Sequence, residues 1–139
     1  MFNLIKSKKK VNFLKVYLVS LIGFLIIDAL WLLVIASDFY AFYLAGFIGD
    51  EINWFPATVF YLLFPLALSY FVIYPALVKE SKKLAIKAGA FLGLTAYMTY
   101  ELTNFTLLEL WPWQVVVVDI LWGALISALV SYLTYKLLK

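Results

Sequence analysis

The chain has 139 residues, of which 66% are hydrophobic, and a formal net charge of +3. Its mean hydropathy of +1.00 is typical of a polytopic membrane protein and leaves no room for a separate soluble catalytic domain. The 11 basic residues are all lysines, and neither His nor Cys occurs. These absences exclude disulfides, thiol nucleophiles, thioether-linked haem and thiolate metal sites, and they remove the usual general base near neutral pH. No cofactor and no nucleic-acid partner are indicated, because the lysines flank apolar segments instead of forming a basic patch.

Four apolar segments predict a single all-α domain over 1–139, a polytopic bundle of four transmembrane helices. The segments are approximately 13–36, 55–78, 84–108 and 113–135. Each is long enough to cross ~30 Å of hydrocarbon at ~1.5 Å per residue. We interpret the first as a retained anchor, because it is too long for a signal peptide and contains Asp28. The connection 38–54 is rich in aromatic and aliphatic residues, so we expect an interfacial segment on the outer leaflet.

The lysines indicate the orientation of the bundle. They precede the first segment, surround the second connection and end the chain, whereas the first and third connections carry only acidic charges. The positive-inside rule therefore predicts that both termini are cytoplasmic, with the lipid bilayer as the immediate partner. The lysines concerned are Lys6, Lys8, Lys9, Lys10 and Lys15, then Lys79, Lys82, Lys83 and Lys87, then Lys136 and Lys139.

Three carboxylates interrupt the apolar segments: Asp28, Glu101 and Asp119. An unpaired charge in hydrocarbon costs on the order of 2.5 kcal/mol or more, so each acid must be protonated, hydrogen-bonded or paired with a cation that the sequence does not encode. Counting ~1.5 Å of helical rise per residue from the flanking residues places all three in the outer half of the membrane. We therefore expect a cluster of carboxylates there.

Small and polar residues recur at helical spacing, which is typical of helix–helix contacts in lipid. The segments that begin at Asp28 and Asp119 also place an indole N–H one turn from an acid. The predicted stripes are Ser20, Asp28, Trp31 and Ile35; Thr58, Tyr61, Pro65 and Ser69; Gly89, Gly93, Tyr97, Glu101 and Asn104; and Asp119, Gly123, Ser127 and Ser131. The candidate ligand- or ion-binding residues are Asp28, Trp31, Tyr61, Tyr97, Glu101, Asn104, Asp119 and Trp122.

This pattern favours binding or translocation of a proton, a small cation or a small polar ligand. Clustered acids favour proton uptake, and carboxylate and amide oxygens suit Na⁺, Mg²⁺ or Ca²⁺. Two alternatives stay open: an enzyme or accessory factor that acts on lipid, and a structural subunit whose protonated acids join helices at ~0.6–2 kcal/mol per bond. No nucleophile or metal motif supports an enzyme. A homo-oligomer is also open, although the lysine bias argues against an antiparallel dimer.

Several short motifs stand out along the chain. They are Asp28-Ala-Leu-Trp31, Asn53-Trp54-x-Pro56-Ala57, Tyr74-Pro75-Ala76-Leu77, Thr99-Tyr100-Glu101-Leu102-Thr103-Asn104, Trp111-Pro112 and Asp119-Ile-Leu-Trp122-Gly123. Together they resemble one family of small bacterial membrane proteins, domain of unknown function number twenty-one seventy-seven. The resemblance covers nearly the whole chain and implies four spans in a bacterial inner membrane, with no assigned activity. In that family the position of Glu101 is usually Asp, so the longer side chain keeps the charge and alters ligand geometry.

Overall fold

Helices account for nearly all of residues 10–139, which are the residues that the computed structural model describes. This confirms the all-α prediction, while Lys6, Lys8 and Lys9 of the predicted basic segment lie outside the described residues. Side chains of Asn12, Asn53 and Ser81 accept hydrogen bonds from backbone N–H groups at three helix starts, as capping residues do. In chain order the helices are α1 (Phe13–Ile35), α2 (Ser37–Tyr43), α3 (Trp54–Val78), α4 (Lys82–Leu107) and α5 (Trp113–Leu138).

Helices α1, α3 and α5 are long and apolar enough to cross a membrane. Helix α4 is just as long as α5, at 26 residues, but is not among these candidates. Its sequence explains the difference, since it carries Lys82, Lys83, Lys87 and Glu101. Three helices of the described chain thus satisfy both length and hydropathy, and the fourth span stays a prediction.

The two longest helices, α4 and α5, pack antiparallel in a regular register. A Cβ added to Gly89 would meet Ser131 and Ser127, one added to Gly93 would meet Ser127 and Gly123, and one added to Gly123 would meet the ring of Tyr97. Each step of four residues along α4 therefore corresponds to four residues back along α5. This confirms that the two predicted stripes face each other, and that the Gly89 and Gly93 pair serves close packing.

Helices α1 and α3 also run antiparallel and are joined by buried serines. The Ser20 hydroxyl lies 2.8 Å from that of Ser69 and 3.3 Å from the Pro65 carbonyl oxygen, to which the Ser69 hydroxyl donates at 2.8 Å. The stripe predictions fail near the helix ends, because Ile35 and Thr58 are exposed. A core behind these contacts contains Val16, Phe24, Leu68, Ile73, Leu77, Ile126 and Val130.

Two π-helical turns interrupt the regular α geometry, at Trp31–Ile35 in α1 and Ser69–Ile73 in α3. The second ends just before Tyr74–Pro75. Proline has no N–H to donate, and its ring collides with the carbonyl four residues earlier in a regular helix. A π turn is wider than an α turn and moves that carbonyl away from the proline ring. This explains why the π turn lies directly before Pro75.

Candidate functional site

Asp28 is the meeting point of three helices. Its side chain is 4% exposed. The Tyr61 hydroxyl of α3 donates a hydrogen bond to Asp28 Oδ2, and the Trp122 indole of α5 donates to Oδ1 at 3.0 Å. Both carboxyl oxygens are thus occupied by neutral donors, and three of the predicted site residues are brought together here.

The indoles of Trp31 and Trp122 stack with ring centroids 4.2 Å apart and an angle of 9° between their planes. Trp31 donates its N–H to the Tyr40 hydroxyl at 3.1 Å, whereas Trp122 donates to Asp28 on another helix. Neither indole therefore donates to the acid of its own segment. The stack between the two rings directs each N–H away from its own helix.

Helix α2 covers the end of α5 at which Asp119 lies. The Tyr40 hydroxyl of α2 donates to Asp119 Oδ1, and α2 side chains pack on the first two turns of α5. Burial and the Asp119 carboxyl raise the pKa of the Tyr40 phenol, which therefore stays an O–H donor. The residues of this apolar contact are Phe39, Tyr40, Tyr43 and Leu44 against Trp111, Val115, Val116 and Ile120.

Glu101 is completely buried on α4. Its Oε2 accepts a hydrogen bond of 2.7 Å from the Trp111 indole, which folds back from the connection between α4 and α5. The register of the two helices places its carboxyl next to that of Asp119, within electrostatic range. Within residues 10–139 no donor reaches Glu101 Oε1.

The two remaining predicted residues occupy different positions. Tyr97 lies one turn from Glu101, with its ring against Gly123 and its hydroxyl within electrostatic range of Asp28 and Asp119. Asn104 interacts with the hydroxyl of Tyr100. The structure thus places Tyr97 between the acids and leaves Asn104 beside them.

Together these contacts form one continuous set of side chains, which we call the acid–aromatic network. Two of its members, Tyr40 and Trp111, were missed by sequence reasoning, which placed Tyr40 in the interfacial segment 38–54 and Trp111 in a family motif. A signal was present, since both lie in aromatic-rich connections at the level of the acids. In order of contact the network contains Tyr61, Asp28, Trp122, Trp31, Tyr40, Asp119, Glu101 and Trp111.

Binding of a cation by the network stays a prediction. Within the described residues, no group of three acidic side chains is arranged to hold a metal ion. The physical reason is visible at Asp28, where Tyr61 and Trp122 already occupy both oxygens. No lysine in the described part of the chain pairs with these acids either, so neutral O–H and N–H groups solvate them.

Three apolar helices of spanning length define the chain as a membrane protein. It belongs to the family described as "Predicted membrane protein (DUF2177)", whose model matches residues 13–136. This confirms the family to which the sequence motifs pointed. No curated protein and no solved structure matches the chain.

Proposed function

We propose that the chain is a four-span protein of the bacterial inner membrane with both termini in the cytoplasm, and that its acid–aromatic network binds a proton from the outer side. The observation that carries this proposal is the burial of acids among neutral donors, with no basic partner in the described residues. An intramembrane acid without a counter-charge is stable when it is hydrogen-bonded or protonated.

The four-span arrangement is supported by the pairing of α4 with α5. Their contacts continue from Gly89 to Glu101, so α4 crosses the same depth as α5, which is apolar enough to span. At 26 residues and ~1.5 Å per residue, α4 is also longer than the ~30 Å hydrocarbon core. Its three lysines lie in its first two turns, on the same side as Lys15 and Lys136. The positive-inside rule then favours cytoplasmic termini.

A proton fits the geometry better than a metal ion does. Metal ions such as Mg²⁺ and Ca²⁺ require several oxygens directed at one point, whereas here the Asp28 oxygens are turned toward Tyr61 and Trp122. A proton needs only one acceptor, and Glu101 Oε1 is a buried acceptor without a donor in the described chain. Asp119 is half-buried, which gives the network its most accessible acid.

The proposal is tested by thermal unfolding of the purified protein in detergent, from mildly acidic to mildly alkaline pH. If the folded state binds a proton more tightly than the unfolded state, stability falls as pH rises, because stability rises only where the unfolded state binds more protons. We expect a higher Tm at low pH and no effect of Na⁺, Mg²⁺ or Ca²⁺ at constant ionic strength.

The matched control is Asp38→Asn, which removes an exposed acid from α2. It should keep the pH dependence of the wild type, because Asp38 lies outside the network. A Tm that does not change with pH, or one that rises only when a metal ion is added, would contradict proton binding. Proton flux into vesicles containing the protein would then distinguish simple binding from translocation.

A further inference from the structure

Glu101 and Asp119 form a pair that the rest of the network does not resemble. The register of α4 and α5 places them opposite each other and brings their carboxyl groups into electrostatic contact. Asp28, by contrast, accepts from two neutral donors on separate helices. The pair is therefore the place where a completely buried acid faces a half-buried one.

One atom of the pair has no donor. Glu101 Oε2 accepts from the Trp111 indole at 2.7 Å, but Oε1 is fully buried and accepts from no group in residues 10–139. A buried acceptor without a partner costs about 1–3 kcal/mol. Its carboxyl neighbour Asp119 cannot supply a hydrogen bond when ionised, because a carboxylate only accepts, but a protonated carboxyl carries an O–H donor.

We propose that Glu101 and Asp119 hold one proton between them, as a carboxyl–carboxylate pair whose shared hydrogen bond satisfies Glu101 Oε1. This inference rests on the proposed function and identifies its site. Two adjacent carboxylates in a low dielectric do not both ionise, and their proton belongs to the pair and not to either residue. A second proton is not needed, because Trp111 already donates to Glu101 Oε2 and Tyr40 already donates to Asp119 Oδ1.

The groups around the pair support a single bound proton. From α4 it is faced by Tyr100 and Tyr97, from α2 by Tyr40 and from the α4–α5 connection by Trp111. Asp28 of α1 lies farther along the network, within electrostatic range of Tyr40. All of these are neutral donors or acids, and no cation in the described chain competes with the proton.

Tyr40 is the positioning residue of the pair. It donates to Asp119 and accepts from Trp31, so its hydroxyl is held from two sides. Since α2 covers Asp119, a proton that enters from the outer side meets Tyr40 first. Removing this hydroxyl leaves Asp119 with one donor fewer, which favours its protonated form.

The test is infrared spectroscopy of the purified protein, which detects the C=O stretch of a protonated carboxyl and its shift in D₂O. The wild type should show a buried carboxyl band that disappears as pH rises. Glu101→Gln and Asp119→Asn should each abolish this band, because either change destroys the pair. Asp28→Asn should leave it in place, and Tyr40→Phe should keep it to higher pH.

The outcomes separate this inference from the proposed function. A titrating band that survives Glu101→Gln and Asp119→Asn but is lost in Asp28→Asn would overturn the pair and keep proton binding at another acid. Absence of any protonated carboxyl band at every pH would overturn both. If Glu101→Gln does not fold, Glu101→Asp replaces it: this variant keeps an acid opposite Asp119, so its band should persist with a shifted midpoint, and loss of the band would overturn the pair.

Discussion

The two halves of the bundle are held together by different physics. In the half that contains Gly89, Gly93, Ser127 and Ser131, which we call the glycine–serine half, α4 and α5 meet backbone to backbone. In the half that contains the acid–aromatic network, long side chains bridge the helices through hydrogen bonds and ring stacking. In lipid there is no hydrophobic driving force for helix association, so both halves depend on close packing and polar contacts. The glycine–serine half should tolerate no added volume, and the network should tolerate no lost donor or acceptor.

The largest effect is expected for Gly93→Ala in the glycine–serine half. The new Cβ would lie 2.0 Å from the Gly123 carbonyl oxygen and 2.2 Å from Ser127 Oγ, and the backbone oxygen cannot turn away. Because the helices must separate, we expect a loss of about 3 kcal/mol or more in the free energy of unfolding. Thermal or denaturant unfolding in detergent measures it.

Gly23→Ala on α1 is the matched control, since no atom lies within 4 Å of the position its Cβ would take. It should be neutral or stabilise by about 0.5–1 kcal/mol, as alanine does in a helix interior. Equal destabilisation by the two substitutions would mean that helix propensity, and not close approach, decides the outcome.

A smaller effect is expected for Asp28→Leu in the network. Leucine removes the acceptor for the Tyr61 O–H and the Trp122 N–H. Because both side chains are only partly buried, each donor left without its partner costs about 1 kcal/mol, the low end of the usual range. Asp28→Asn keeps one acceptor oxygen and should lose less. Tyr61→Phe in the Asp28→Leu background should restore part of the stability in a double-mutant cycle. Additive losses would show that Tyr61 and Asp28 are not coupled.

The smallest effects come from two serine-to-alanine changes of opposite expected sign. Ser20 bonds with Ser69 and Pro65, so Ser20→Ala should cost about 0.5–1.5 kcal/mol. Ser131 Oγ is buried and has no hydrogen-bond partner in the described chain, so Ser131→Ala should be neutral or stabilise by about 1 kcal/mol. Unfolding midpoints measured side by side decide this. A loss from Ser131→Ala would show that its hydroxyl is satisfied.

The glycine–serine half was predictable from the sequence, because its contacts follow from helical periodicity. Residues spaced by four, from Gly89 to Glu101 and from Asp119 to Ser131, lie on one face of each helix. Two antiparallel helices of equal length then match their faces with one choice of register. The spacing of these residues along the chain was therefore sufficient to predict which of them meet.

The network was predictable only in part. Sequence reasoning found its acids and Tyr61, since polar residues in apolar helices stand out. It could not predict that Trp122 donates to Asp28 or that Tyr40 donates to Asp119. Those hydrogen bonds depend on how helices distant in sequence pack together. The choice between a proton and a small cation, which the sequence leaves open, has a related limit. Residue type states what a carboxylate can bind, but only the fold decides which donor reaches it first.

The π turn at Ser69–Ile73 has a consequence for the helical phase of α3. Buried residues of α3 recur every four positions: Phe64 and Pro65, Leu68 and Ser69, Val72 and Ile73, Ala76 and Leu77. At ~100° per residue, four residues overshoot a full turn by ~40°, so three repeats in a regular α-helix would rotate the buried face by ~120°. One surplus residue in the π turn takes back ~100° of that rotation. The lysine end of α3 therefore faces the core because of the number of residues in one turn. If the same residues formed a regular α-helix, Ala76 and Leu77 would rotate by ~100° away from the core, whereas deletion of the one surplus residue would keep them facing it.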